Sequence, residues 1–214
     1  MQRYIEEQLR NKDNCPKDIN MLRINIDFLS YIERLYEEQN RQDIILKTYP
    51  KGKFIFEQTD RNYKVIIIKD GFVKCYFSEE NGKDFIFEFL GKGEIVGEIE
   101  AICGTPCLCN IETLSDVEVY SFSITYFKSI ISKNLEFCQL LIEELAKRIM
   151  NTSTRASFQQ SYSMKHAVSK LLLLQEQQNI KLSKTDMAAY LGIDIRSLNR
   201  IIKKEKEDVT KSSF

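Results

Sequence analysis

The chain has 214 residues and carries 31 Lys and Arg against 31 Asp and Glu, so its formal net charge is zero. This balance argues against a generic nucleic-acid-binding protein, and no apolar run approaches the roughly 18 to 20 residues that a membrane span needs. The length suits one domain of ordinary size and one small domain. Because no membrane span is evident, we expect a cytoplasmic protein without a membrane partner.

The charge is unevenly distributed along the chain, and the cysteines indicate the redox state of the protein's surroundings. From Ser163 onward 10 Lys and Arg stand against 6 Asp and Glu, so the C-terminal part is basic. The chain has six cysteines, and its polar start does not resemble a secretion signal. This pattern favours reduced thiols or ligands over a disulfide framework.

Residues 1–40 form the first predicted segment, which is polar and favours helix. Its later part carries a partial helical stripe of apolar side chains: Ile24, Ile26, Phe28, Leu29, Ile32 and Leu35. The stripe predicts a short helix that covers part of the domain that follows.

Residues 41–124 change to short β-type runs, separated by turn residues about every ten positions. The runs read IILKTYP, KFIFEQ, YKVIIIK, FVKCYFS, DFIFEFL, EIVGEI, NIETL and VEVYSF. Asn81-Gly82 lies between two alternating strands and is a strong hairpin signal, because glycine supplies the positive φ of a tight turn. Regular short strands of this kind predict a sandwich or a jelly-roll barrel.

Residues 125–160 hold a short helix, which Ser123 caps and which runs from Ile124 to Ser132, and then a long helix. The long helix begins at Leu135, ends near Phe158 and contains neither Pro nor Gly. It is apolar on too many sides for one neighbour, because Cys138, Ile142 and Met150 form a second row beside the main stripe. One row should pack on its own domain and the other on a twin helix. We assign the main stripe to the dimerisation helix: Phe137, Leu141, Leu145 and Ile149.

Residues 161–214 show the pattern of a helix-turn-helix. An amphipathic helix begins at Met164, and the stretch KLSKTDMAAYLGIDIRSLNRIIKKE follows it. Thr185 can cap one short helix, Gly192 suits the left-handed turn that closes it, and Asp194 can cap a second helix from Ile195 to about Lys204.

The second helix has a polar and basic outer face, which suits DNA. Arginine can donate two hydrogen bonds to guanine in the major groove, and lysine suits the phosphate backbone. The predicted DNA-binding residues are Thr185, Ile195, Arg196, Ser197, Asn199, Arg200, Lys203 and Lys204. The alternative is a helical hairpin with a solvated basic side.

Taken in order, residues 44–204 resemble the Crp/Fnr superfamily of bacterial transcription regulators. The resemblance implies an α+β fold with a double-stranded β-helix jelly roll, a dimerisation helix and a small helix-turn-helix domain. It also implies a homodimer on near-palindromic double-stranded DNA, with RNA polymerase as a further partner. The family has a two-stranded wing after the recognition helix, but the polar residues after Lys204 are too few for it. We therefore expect either a reduced or absent wing or a shortened chain.

By the same resemblance, Gly97 and Glu98 match the start of the family's phosphate-binding cassette, whose glutamate takes ribose hydroxyls. Members that bind cyclic nucleotides carry an arginine about ten residues later, where this chain has Cys107-Leu108-Cys109. A buried phosphate without a paired cation would cost several kcal/mol, so cyclic AMP should not bind. The candidate effector pocket comprises Gly97, Glu98, Ile99, Glu100, Cys107, Leu108 and Cys109. The pocket either binds a small apolar or uncharged effector or binds no effector at all.

We expect that the protein is not an enzyme and that it binds no metal or cofactor. The single histidine, His166, cannot supply the two or three ligands of a cupin metal site, and no GxxxxGK[ST] motif is present. Cys103, Cys107 and Cys109, with Cys75 on an adjoining strand, could bind a soft metal or sense redox state, but small thiols also fill the core of a β-roll. The alternative function is a sensor and dimerisation module that no longer reads DNA and acts through a protein partner.

Overall fold

The structure is a computed structural model that describes residues 22–38, 43–178 and 180–212, with residues 158–161 and 205–212 described by their backbone alone. The predicted segment before Leu22, including Cys15, lies outside the described residues. Across the described ranges no helix is both long enough and apolar enough to cross a membrane.

Two β-sheets form the N-terminal domain, which we call the β-roll. One sheet has the strand order β1-β6-β5-β8-β3 and the other has the order β2-β9-β4-β7. The strands are β1 (Leu22–Arg23), β2 (Ile44–Tyr49), β3 (Phe54–Phe56), β4 (Lys64–Asp70), β5 (Val73–Ser78), β6 (Asp84–Leu90), β7 (Ile95–Val96), β8 (Asn110–Thr113) and β9 (Val117–Ser123). Non-sequential neighbours of this kind confirm the predicted jelly roll.

The β4 strand shows why these residues form a central strand. Val65 and Ile67 are buried against the helices, whereas Ile66 and Ile68 are buried between the two sheets. Because successive side chains of a strand point to opposite faces, a continuous apolar run is buried on both sides. The β-roll therefore has one core between its sheets and another core under its helices.

Seven helices complete the described part of the chain. They are α1 (Ile26–Glu38), α2 (Glu98–Cys103), α3 (Ile124–Lys133), α4 (Leu135–Ser161), α5 (Met164–Gln177), α6 (Lys184–Leu191) and α7 (Ile195–Ser212). The α3 helix begins as predicted, with the Ser123 hydroxyl accepting a hydrogen bond from the Tyr126 N–H at 3.1 Å. The α7 helix is longer than predicted, and no strand follows it within the described residues.

The run EIVGEI was predicted as one strand, and this was wrong. Only Ile95 and Val96 are extended, and Gly97 then turns the chain with a φ of 90° into α2. A residue with a Cβ is strained at that φ, so the glycine separates strand from helix. This turn places the predicted cassette residues at the start of a short helix, beside α4.

The long helix α4 lies where it was predicted, but the row of apolar side chains that faces outward differs from the predicted one. Of the four residues assigned to the dimer stripe, Phe137 and Leu141 are 0% and 4% exposed in the core of their own chain, Leu145 is half-buried, and Ile149 is exposed. Phe137 meets the ring of Phe28 on α1 at 5.4 Å between centroids. The row that faces outward instead consists of Leu135, Ile142 and Ile149, which are 74%, 66% and 69% exposed.

The helix-turn-helix forms as predicted, with one change at a cap. Ser183, rather than Thr185, accepts the hydrogen bond from the Asp186 N–H at the start of α6. Gly192 closes α6 in the left-handed conformation, and Asp194 caps α7 by accepting from the Ser197 N–H at 2.8 Å. Each cap satisfies backbone groups that a helix end leaves open.

Gly93 is needed where the N-terminal segment docks on the β-roll. Its φ is +81°, and an added Cβ would lie 1.6 Å from the Asn25 carbonyl oxygen. We expect Gly93→Ala to lower the free energy of unfolding by about 2 to 3 kcal/mol, through backbone strain and displacement of this segment. Gly52→Ala is the control, because Gly52 has a similar φ of +76° but open space around it. Urea unfolding should show a loss of about 1 kcal/mol for that control, and equal losses would contradict the prediction.

Candidate effector pocket and DNA-reading face

A cavity of about 340 Å³ opens between the β-roll and α4. Six of the seven predicted pocket residues line it: Gly97, Glu98, Ile99, Glu100, Leu108 and Cys109. Cys107 does not line this cavity; its side chain is buried in the core between the sheets. The lining residues that the sequence did not reveal come from distant parts of the chain: Cys75, Phe87, Glu88, Leu90, Val96, Ile111, Arg148, Ile149, Thr152 and Ser153.

Glu98 is bound by an arginine of its own chain. It is 1% exposed, and Arg148 of α4 donates a hydrogen bond to its carboxylate and another to the Ile95 carbonyl oxygen. Burial raises the pKa of Glu98, whereas the Arg148 charge opposes that rise. The glutamate that takes ribose hydroxyls in the resembling family is therefore paired with the long helix in this protein.

Arg148 belongs to a larger set of charges that we call the buried ion cluster. Its members are Arg23, Glu88, Glu94, Glu98, Glu144 and Arg148. Arg23 lies 3.0 Å from Glu88 and 2.9 Å from Glu94, and it also pairs with Glu144. Because four carboxylates share two guanidinium groups, the cluster has a formal charge of −2 when every carboxyl group is ionised.

A second carboxylate occupies the cassette. The Leu108 N–H donates a hydrogen bond to Glu100 Oε1 at 2.9 Å. Glu100 has no ion-pair partner in the part of the chain that the structure describes, so its charge is held by hydrogen bonding and solvent alone. The Leu108 N–H, which lies near the position of the family's arginine, is thus already bonded to Glu100.

The pocket thiols are unsuited to nucleophilic or redox chemistry. Burial raises the pKa of Cys109 to about 12 and raises the pKa of Cys75 well above its ordinary value. A thiol reacts mainly as the thiolate, so burial disfavours the reactive form of both cysteines. Among the described residues no cluster of three or more His, Cys, Asp or Glu could hold a metal ion.

The predicted DNA-reading residues lie mainly on the outer side of the helix-turn-helix. All except Ser197, which is half-buried, are exposed: Thr185, Ile195, Arg196, Asn199, Arg200, Lys203 and Lys204. Beneath them Leu198 and Ala188 are 0% and 3% exposed, as their positions in the pattern predict. The Asn199 side-chain oxygen accepts a hydrogen bond from Lys184 Nζ at 2.8 Å. The second helix therefore presents arginine and amide donors on a rigid support.

Arg155 of α4 joins the β-roll to the helix-turn-helix. It donates hydrogen bonds to the Phe87 carbonyl oxygen in β6 and to the Tyr190 carbonyl oxygen in α6, and it stacks 4.1 Å from the centroid of the Tyr190 ring. Lys74 of β5 pairs with Asp186 of α6 at 2.7 Å. Sequence reasoning missed both contacts, since neither leaves a local pattern. The Arg155 contacts join the end of the long helix to the β-roll and to the helix-turn-helix, and the Lys74–Asp186 pair joins the β-roll directly to α6.

Residues 46–134 match the family model of the cyclic nucleotide-binding domain. The cAMP-activated global transcriptional regulator CRP of Haemophilus influenzae is 24% identical over 170 residues, which are 74% of this chain and 75% of that protein. The potassium channel KAT2 of rice is 28% identical over 180 residues, which are 77% of this chain but only 30% of the channel.

Among solved structures, the c-di-GMP responsive global regulator CLP of Xanthomonas campestris superposes with a TM-score of 0.72. It is 18% identical, and the match covers 84% of this chain and 92% of that one. Other neighbours are CRP/FNR-family transcriptional regulators. Residues 46–134, which form most of the β-roll, are thus similar in sequence to the cyclic nucleotide-binding domain. As a whole, the chain has the fold of the CRP/FNR-family transcription regulators.

Proposed function

We propose that the protein is a cytoplasmic, homodimeric transcription regulator that reads operator DNA with α7. The observation that carries this proposal is the division of the helix-turn-helix into a buried apolar side and an exposed side with Arg196, Asn199 and Arg200. Arginine and asparagine are the residues that read guanine and adenine in the major groove. The neighbours named CRP and CLP are described as transcriptional or global regulators, which supports the proposal.

The dimer would form along the outward row of α4. Leu135, Ile142 and Ile149 recur every seven residues, and this spacing keeps apolar side chains on the seam between two supercoiled helices. Such a pair of helices would hold two copies of α7 about 34 Å apart, one turn of DNA. The β-roll would then regulate DNA binding by altering how α4 packs.

Cyclic AMP is not the effector in this proposal. The pocket's one arginine, Arg148, is engaged by Glu98, and the Leu108 N–H is engaged by Glu100. A cyclic phosphate would meet these carboxylates without a free cation, so its desolvation would not be offset. Calorimetric titration should therefore show no binding of cyclic AMP at micromolar concentrations.

The test of DNA reading is selection from random-site DNA, followed by gel-shift titration at two salt concentrations. A specific reader keeps its preference for the selected sequence at the higher salt, whereas attraction by charge alone is lost for all sequences alike. Loss of all preference would instead favour the alternative function, a sensor and dimerisation module that acts through a protein partner.

Arg196 supplies the sharpest test of base reading. We expect Arg196→Ala to weaken operator binding by about 1 to 3 kcal/mol and to relax base preference at one position of each half-site. Lys128→Ala removes an exposed cation from α3, outside the helix-turn-helix, and should leave both quantities unchanged. A repeated site selection with unaltered base preference would remove Arg196 from the readout.

A further inference from the structure

The cavity beside α4 has the size and lining of a small-molecule site. Its volume of about 340 Å³ lies toward the small end of ligand pockets, which are usually lined by apolar side chains. The apolar lining includes Phe87, Leu90, Val96 and Ile111. At the mouth Leu108 is 51% exposed, so an apolar ligand body would cover surface that now faces water.

The charged groups of this lining are unequal in sign. Glu88, Glu98 and Glu100 are acidic, and Arg148 is the one basic side chain among the lining residues. Arg148 is engaged by Glu98, and Glu88 is engaged by Arg23 at 3.0 Å. Glu100 alone among the three carboxylates has no ion-pair partner within the described ranges. The charge available to a ligand is therefore negative.

The hydrogen-bonding groups have the same bias. The Leu108 N–H, which could have met an anion, donates instead to Glu100 Oε1 at 2.9 Å. A ligand carboxylate or phosphate would thus face acceptors and like charges, whereas a protonated amine could donate to Glu100. Hydrogen bonds between charged groups are about twice as strong as neutral ones, so this difference should dominate ligand selection.

We propose that this pocket binds a small molecule with an apolar body and a protonated amine, and that Glu100 is the residue that receives the amine. The proposal deepens the sensor role in the proposed function by naming the class of effector. It does not depend on DNA binding, because the ligand can be titrated without DNA. A negative DNA titration would leave the ligand preference unchanged, and an absent ligand preference would leave the DNA result unchanged.

The test compares three probes of equal chain length at neutral pH: hexylamine, hexan-1-ol and hexanoate. With the full chain in isothermal titration, we expect hexylamine to bind at least about tenfold more tightly than hexanoate, with hexan-1-ol between them. Glu100→Gln keeps the shape of the side chain and its acceptor oxygen while removing the charge. It should bring hexylamine to the affinity of hexan-1-ol and leave hexan-1-ol unchanged.

A second variant tests the sign of the preference. Glu100→Gln combined with Leu108→Arg exchanges the free carboxylate for a cation at the mouth, where Leu108 is exposed enough to accept the change. This variant should bind hexanoate more tightly than hexylamine. The proposal is overturned if hexanoate binds the original protein as well as hexylamine, if Glu100→Gln keeps the amine preference, or if none of the three probes binds at millimolar concentration.

Discussion

Exchange of Ile142 and Ile149 for aspartate should turn the proposed dimer into a monomer that no longer binds operator DNA. Both side chains lie on the outward row of α4 and are about two-thirds exposed in the single chain. In the dimer their replacement would bury four carboxylates without partners, which is among the most unfavourable changes an interface can undergo. We expect the dimer dissociation constant to rise by about 100-fold or more, which corresponds to roughly 2.7 kcal/mol.

Sedimentation velocity and gel-shift titration would measure the two consequences. Lys147→Glu is the matched control, because it adds an exposed acid to the same helix about 140° around from Ile142, and it should leave the dimer intact. Unchanged thermal unfolding at low protein concentration would show that the aspartate variant still folds. If that variant sediments as a dimer, the interface does not follow the outward row.

This row also shows what periodicity can and cannot reveal. The sequence predicted that α4 has two apolar rows and that one of them packs on its own domain. Its assignment of the Phe137 row to the twin helix does not hold for Phe137 and Leu141, which are buried in their own chain. Phe137 and Ile142 are equally apolar and both recur at helical spacing, so periodicity alone does not distinguish the two rows. The choice is made by α1, whose Phe28 fills the space beside Phe137. That contact joins residues more than a hundred positions apart.

The β-roll and the helix-turn-helix could be predicted because their signals are local. Asn81-Gly82 sets a hairpin, Gly192 ends a helix, and Asp194 starts the next one, each through the conformation of one or two residues. EIVGEI was misread as a single strand for a related reason. Its apolar side chains, Ile95, Val96 and Ile99, fit a strand or a short helix equally well, and the left-handed turn at Gly97 distinguishes them.

The candidate pocket could be predicted only on one side. Glu98 and Leu108 follow from the order of the cassette, but nothing in the sequence around Arg148 indicates that its side chain reaches the cassette. Its partner Glu98 is fifty residues away. Long-range ion pairs leave no mark on composition or spacing, so the residue that engages the Glu98 carboxylate could not be identified from the sequence.

Replacement of Arg148 by methionine should have the largest effect on stability. The substitution preserves much of the side-chain volume but leaves Glu98 buried without its partner, and it removes one of two guanidinium groups from the buried ion cluster. Loss of one partner from a buried pair costs about 3 to 5 kcal/mol. Lys147→Met, which removes an exposed charge one residue earlier, should change the free energy of unfolding by less than about 0.5 kcal/mol.

The stability that Arg148→Met loses should be larger at high pH than at low pH. Burial already raises the pKa of Glu94 and of Glu98 above 4.5, and the Arg148 charge lowers both. Without Arg148 these pKa values rise further, so the folded state binds more protons than the unfolded state over a wider range. Stability of the variant must then fall as pH rises above the unfolded pKa, and its deficit should be smaller near about pH 5 than near about pH 8.

A second substitution separates electrostatics from packing. Adding Glu98→Gln to Arg148→Met removes the unpaired charge at the pocket wall, so urea unfolding should show that a large part of the lost stability returns and that the pH dependence weakens. If the double variant is no more stable than Arg148→Met at either pH, the arginine acts through its packing, and the charge of Glu98 has no part in holding α4 against the β-roll.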